Sequence, residues 1–209
     1  STGDNLFDYA TIKYDSNGNH LWVARHDNGR ADTPIGLAVD ASGNVYVSGY
    51  SAEYFSGLYQ YATIKYDSNG NQSWVAIYDG GIPSALALDA TGNVYVTGNA
   101  ATVKYDTNGN QLWDIVNTTN LGSTAIAVDA AGNVYVADSD NNRVQVFSAK
   151  GSFLRKWGSS GSGNGQFTRA EDVDIAPDGT ICVADDGSGR YQQFSPACAY
   201  QATVTLASE

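Results

Sequence analysis

The chain has 209 residues, with 22 acidic against 11 basic side chains, a formal charge of −11 and 23 glycines. That length supports a core for one domain, and the negative field repels polyanions, which excludes nucleic acid as a partner. No run approaches the ~18 apolar residues of a membrane-spanning helix, and no methionine occurs, so residue 1 reads as a processed boundary rather than a translation start.

From the N-terminus, residues 8–28 carry Tyr9-Ala10-Thr11-Ile12-Lys13-Tyr14, the turn Asp15-Ser16-Asn17-Gly18-Asn19, and then Trp22. The same phrase returns at Tyr66–Asn71 with Trp74 and at Tyr105–Asn110 with Trp113. A second phrase interleaves with it: Gly43-Asn44-Val45-Tyr46-Val47, Gly92-Asn93-Val94-Tyr95-Val96 and Gly132-Asn133-Val134-Tyr135-Val136. Tyr14, Tyr66, Tyr105 and Phe147 are separated by 52, 39 and 42 residues. Periods near ~40–50 made of short strands indicate propeller blades of four antiparallel strands. Helical repeats of that length fail because no stretch is apolar at i, i+3, i+4 and i+7.

One unit runs from Thr124 to Trp157. Ala125–Val128 is a short apolar innermost strand, Asp129–Asn133 a turn with Gly132 at a positive-φ position, and Val134–Val136 a β-branched and aromatic second strand. A polar loop, Asp138–Asn142, leads to a third strand, Arg143–Phe147. The turn Ala149–Gly151 then precedes an outer strand, Phe153–Trp157. The Asn-Gly pairs at Asn17, Asn69 and Asn108 predict tight hairpins, and the tryptophans after them predict outer-strand rings packed on the next blade. Complete units start near Gly36, Ala85 and Ala125, and a last one runs from Asp172 through Phe194 with Tyr200–Leu206 as its outer strand. The expectation is therefore an all-β, propeller-like array of about four and a half blades in one domain: a half blade at 8–28 and blades at about 36–79, 84–116, 124–158 and 172–206.

Residues 8–116, through YATIKYDSNGN, LAVDASGNVYVSG and their copies, resemble the bacterial SBBP propeller repeat. Residues 124–195, through IAVDAAGNVYVADSDNNRVQVFSAKGSFLRKWG and DVDIAPDGTICVADDGSGRYQQFS, resemble the NHL repeat. The resemblance implies an extracellular or cell-surface binding and scaffold module, secreted and bacterial-like. A few NHL-like propellers are metal-dependent lyases.

Candidate sites are few. The Asp15–Asn19 turns look like calcium loops, but their position 6 is His20, Gln72 or Gln111, and their position 12 is His26, Tyr78 or Asn117. The bidentate Glu of such a loop is missing, so they read as hairpin turns. His20 and His26, the only histidines, fall on an outer strand, away from the axis where a lyase would converge its imidazoles. No Gly-x-Ser-x-Gly elbow occurs, and the Gly158–Gly165 stretch reads as a flexible inter-blade loop. No cofactor is expected. Asp174, with Asp172, Glu171 and Asp178 near it, stands where Ala38, Ala87 and Ala127 stand in the other units, which makes Asp172 and Asp174 a candidate cation site at the channel mouth. Asn71 and Asn117 head glycosylation triplets. Cys182 and Cys198 form a disulfide if the chain folds back near Pro196, and otherwise stay free; strand pairing alone puts Cys182 opposite about Gln192. The aromatic insertion Ser51–Tyr61 could make a binding surface.

The half blade at 8–28 lacks two inner strands. Three arrangements would resolve this: further blades of a longer propeller, a four-bladed ring in which 8–28 pairs with 172–184 and displaces 190–209, or pairing between chains. The sequence thus favours a non-enzymatic extracellular structural or interaction module. Its partners would be copies of itself or neighbouring blades, with possible assembly into a fibre or larger surface structure. The alternatives are a carbohydrate- or protein-binding propeller with its site on the channel-end loops and, less favoured, a metal-dependent lyase or lactonase.

Overall fold

A computed structural model describes residues 8–52, 57–116 and 122–205. These form eighteen strands in five antiparallel sheets, and the chain is an all-β propeller-type array. The first sheet pairs β1 (Tyr9–Tyr14) with β2 (His20–His26). The second orders β3 (Ala31–Val39), β4 (Val45–Ala52), β5 (Tyr59–Tyr66) and β6 (Gln72–Asp79). The third orders β7 (Pro83–Leu88), β8 (Val94–Gly98), β9 (Ala101–Tyr105) and β10 (Gln111–Val116). The fourth comprises β11 (Ser123–Val128), β12 (Val134–Asp138), β13 (Arg143–Phe147) and β14 (Phe153–Trp157). The fifth comprises β15 (Ala170–Ile175), β16 (Ile181–Asp185), β17 (Arg190–Phe194) and β18 (Tyr200–Thr205).

The sheets stack in sequence order, with innermost strands side by side: β3 on β7, β7 on β11, β11 on β15. Alternation along each strand sorts its residues between two neighbours. In the fourth sheet Ile126, Val134, Val136 and Phe147 pack back onto Ala85, Ala87, Tyr95 and Trp113. Ala125, Ala127, Tyr135 and Ala137 pack forward onto Val173, Ile181, Val183 and Phe194. On the innermost strand the small Ala125 and Ala127 face forward and the branched Ile126 and Val128 backward, which lets successive sheets nest.

The four-bladed ring with a displaced tail does not form. β16 pairs with β17, Cys182 lying opposite Gln193, and β17 pairs with β18, so the fifth sheet completes itself from its own chain. The hairpin at Asn17 also differs from a two-residue turn. Only Gly18 takes a positive φ, and Gly18 N–H donates to Asp15 O while Asp15 N–H donates to Asn19 O. This is a type I turn closed by a glycine bulge, and it recurs at Gly70 and Gly109. The glycine-rich stretch 158–165 is pinned rather than loose. Arg190 donates to Ser162 O and Gly163 O, Gly165 N–H donates to the Gln192 amide oxygen, and Gln192 in turn donates to Gln166 O.

Candidate functional site

The chemistry of this chain is concentrated at the joints between sheets. At the first three joints one device repeats. Trp22 Nε1 donates to Ser68 O, Trp74 Nε1 to Thr107 O and Trp113 Nε1 to Ala149 O, each at 3.0 Å. Each indole lies flat on the turn glycine of the next sheet. A Cβ at Gly70, Gly109 or Gly151 would come within 2.7, 2.8 or 3.0 Å of the ring, so glycine serves both the positive φ and the close approach. A lysine runs beside each indole: Lys13 to Ser68 O, Lys65 to Thr107 O and Lys104 to Ala149 O. Tyrosines cross as well. Tyr9 donates to Ala62 O, and Tyr61 donates to Ala101 O while accepting from the N–H groups of Ala100 and Ala101. Gly49 and Gly98 leave room for these hydroxyls, since a Cβ there would meet them at 2.5 and 2.6 Å.

The turn between the two inner strands is built around an aspartate. Asp89 accepts from Thr91, from the backbone and side chain of Asn93, and from Tyr95 Oη at 2.9 Å. Burial pushes its pKa up, but these hydrogen bonds outweigh burial and hold it at about 2. The partner tyrosines move the other way. Burial, with the neighbouring Asp40 or Asp129, raises Tyr46 and Tyr135 to about 12.

In the fourth and fifth sheets the position of Gly49 and Gly98 is taken by Asp138 and Asp185, both fully buried. Asp138 accepts from Asn141, from Arg143 Nε at 2.6 Å and from Gln145. Asp185 accepts from Thr168, Arg169 N–H, Ser188 and Arg190 Nε at 3.0 Å. The single-turn 3-10 segments Ser139–Asn141 and Asp186–Ser188 bring each arginine back onto its aspartate. Burial alone would raise the Asp185 carboxyl, but the bonds from Ser188, Arg169, Thr168 and Arg190 keep it below its ordinary value. The sequence contained this signal as an Asp five residues before an Arg in both units, and sequence reasoning passed over it as a polar loop.

The fourth joint breaks the pattern. Tyr14, Tyr66 and Tyr105 are each followed eight residues later by tryptophan, whereas Phe147 is followed by Arg155. The turn glycine is replaced by Cys198, which holds φ at 65°. A Cβ at this position leaves no room for an indole in the sibling placement, and Arg155 Nη1 instead reaches Ala197 O at 3.3 Å. The inner turn of the fifth sheet has also lost its Asp–Tyr pair to Ala176 and Cys182. The result is a cleft of about 560 Å³ between the two sheets, walled by Val128, Val146, Leu154, Ile175, Pro177 and Pro196, with Arg155 and Tyr135 in its lining.

The residues singled out from sequence do not converge. Asp172 and Asp174 are exposed on β15, and each accepts the N–H of the residue after it. Glu171 pairs with Arg169 at 2.8 Å, and Asp178 caps a turn. Among the described residues no three His, Cys, Asp or Glu side chains are placed to hold a metal. The carboxylates of Asp15, Asp67 and Asp106 are held below their ordinary range, first by the Asn19, Asn71 and Asn110 amides. Their oxygens are engaged within their own turns. The disulfide is corrected to two free thiols: Cys182 lies mid-strand opposite Gln193, and Cys198 in the turn beyond β17. Burial raises the Cys198 thiol, with Arg155 opposing. Asn71 is exposed, although its amide nitrogen donates to Asp67. Asn117 and part of the Ser51–Tyr61 insertion lie outside the described residues. His26 is more than a surface histidine. Its Nε2 is buried without a hydrogen-bond partner, as are both carboxylate oxygens of Asp32, which is 1% exposed.

Known proteins bear on this chain in three ways. Residues 124–147 match the NHL repeat model. A stretch of 59 residues is 41% identical to peptidyl-glycine alpha-amidating monooxygenase A of Xenopus laevis, covering 26% of this chain and 6% of that protein. Among solved structures, the Neurospora crassa Pan2 WD40 domain superposes with a TM-score of 0.64 at 12% identity, over 86% of this chain and 52% of that one. A protein of unknown function from Bacteroides caccae gives 0.63 at 16%, over 97% and 70%. A catalytically inactive virginiamycin B lyase from Staphylococcus aureus, solved with quinupristin, gives 0.63 at 9%, over 98% and 72%. The chain thus spans a small part of its curated relative and about half of the Pan2 domain. What the solved structures share with this chain is the fold, a β-propeller array, to which residues 124–147 add an NHL repeat.

Proposed function

We propose that the chain is a non-enzymatic interaction module of an extracellular or cell-surface protein, its first half built of SBBP-type repeats. It would act by accepting a further blade, from a copy of itself or from neighbouring blades of the same protein, as part of a larger surface assembly. The observation that carries this reading is the outward face of the first sheet. Ile12 and Tyr14 are 47% and 56% exposed, whereas the equivalent Ile64 and Tyr66 of the second sheet are 0% and 1% exposed. Leu21 and Val23, the latter paired with Ile12, are exposed on β2 of the same sheet, and Leu37 and Val39 are exposed on β3 of the second sheet. The Tyr14 position is buried at every later joint, by Tyr66, Tyr105 and Phe147, so the face is shaped for a blade. A contiguous apolar face of this kind, beside the inner edge of β1, favours association. An enzymatic reading would draw on His20 and His26, which lie on β2 at the first sheet's outer strand.

Sedimentation velocity across the micromolar range, with electron microscopy of the same samples, tests the reading. Concentration-dependent association that disappears in an Ile12→Asp, Val23→Asp double variant is the expected result. A monodisperse wild-type monomer throughout that range rejects it.

A further inference from the structure

The geometry points to the cleft between the fourth and fifth sheets as a binding site for a small apolar carboxylate, with Arg155 as the group that pairs the anion. At the three sibling joints an indole from one sheet lies on a glycine of the next and fills the outer part of this space; between the inner turns of the second and third sheets a smaller pocket of about 370 Å³ remains. Here both members of that pair have changed together, to Arg155 and Cys198, and the space stays open at about 560 Å³. That volume falls in the range of small-ligand pockets. Its walls are aliphatic or prolyl, with Val128, Leu154, Ile175 and Pro196 among them.

Charge settles the class of ligand. Among the described residues no carboxylate lies within ion-pair distance of Arg155, which donates to the Ala197 carbonyl at 3.3 Å and reaches the Cys198 sulfur at 4.0 Å. The nearest acid in the lining, Asp129, already accepts from Ala131, from Asn133 twice and from Tyr135 at 3.2 Å. Its oxygens are therefore committed, and it does not compete for the guanidinium. In a chain of net charge −11, an arginine left without an acid beside an apolar cleft selects an anion with an apolar body. The fork of the guanidinium matches a carboxylate. Two sources carry that chemistry: a free small molecule and the C-terminal residue of a peptide. The site is distinct from the first-sheet face, and its test is independent of self-association.

The experiment is an amide NMR titration of the whole chain with 3-phenylpropionate, with 3-phenylpropanol as the neutral isostere and a short peptide ending in Phe as the second source. Saturable shifts at residues 128–133 and 175–179 are expected for the carboxylate. Binding of the alcohol should be weaker by roughly tenfold or more, the loss of one charge-assisted hydrogen bond. Arg155→Gln should remove the difference between acid and alcohol, and Arg155→Lys should restore part of it. Arg155→Trp combined with Cys198→Gly rebuilds the sibling pair, and should close the cleft and abolish binding in a chain that still folds. Tighter binding of the peptide than of the free acid assigns the site to protein termini, and the reverse to small molecules. No saturable binding at millimolar ligand overturns the proposal. So does unchanged binding in Arg155→Gln or in the rebuilt pair.

Discussion

The two halves of the array hold themselves together in opposite senses. From residue 8 to 116 the recurrent polar bonds cross between sheets: Trp22, Trp74, Lys65, Tyr9 and Tyr61 each bond to the backbone of the following sheet. From residue 122 to 205 the strongest polar groups are turned inward, and Asp138 and Asp185 bond to groups of their own sheet and of the segment leading into it. One position makes the exchange visible. Where Gly49 and Gly98 admit a neighbour's tyrosine, Asp138 and Asp185 admit their own arginine. The first half is a set of units tied by polar bonds across their joints, and the second is a set of internally tied units whose last joint is held by apolar packing without the indole bond.

Breaking an inward pair should have the largest effect and the narrowest reach. Asp185→Ala leaves the largely covered Arg190 without its carboxylate, at a cost of about 3–5 kcal/mol. Hydrogen exchange should show the fifth sheet opening while the second and third keep their protection. Equal loss of protection in all sheets would erase the distinction between the halves. Trp74→Ala should cost about 3 kcal/mol or more, and its effect should spread to the second and third sheets together. In a double-mutant cycle with Tyr61→Phe the two losses should be non-additive, because both groups join the same pair of sheets. Additive losses would mean that the joint does not act as a unit.

The smallest effect concerns Asp32, a buried acid of the first half for which burial outweighs its polar neighbours. Burial raises the pKa of Asp32, with Ser51 and His26 opposing and Asp8 and Asp27 adding to the rise. A carboxyl raised in the folded state contributes stability below its unfolded value of about 4, and that contribution is lost as pH climbs through the raised value. Asp32→Asn should therefore stabilise the chain at neutral pH by about 1–3 kcal/mol, with the advantage shrinking as pH falls toward 4. Asp89 runs the other way. Its depressed value contributes stability above about pH 4 that is lost as pH drops toward about 2. Thermal melts of the wild type and Asp32→Asn across this range separate the two; an Asn variant no more stable at pH 7 than the wild type would show that Asp32 is compensated.

Much of this was legible in the sequence because a repeat presents the same experiment several times. The sheet order, the turns and the tryptophan contacts follow from the spacing of Tyr14, Tyr66 and Tyr105, and Asp174 falls opposite Cys182 as Ala127 falls opposite Tyr135. What escaped were departures from the repeat. Arg155 looks like an ordinary surface residue until it is counted eight from Phe147, and Cys198 looks like half of a disulfide until it is seen in a glycine's φ. The burial of Asp32 and His26 depends on two sheets meeting, and no local pattern encodes that meeting.

The forward face of the fifth sheet has a further consequence. It presents Asp172 and Asp174 where the fourth sheet presents Ala125 and Ala127, so a blade arriving there would have to strip water from two carboxylates. In the proposed association, two copies stacked head to tail would set the apolar first-sheet face of one against these carboxylates of the other, so that contact would carry this desolvation cost. Acid or a neutralising cation would lower that cost, which makes the contact a titratable joint.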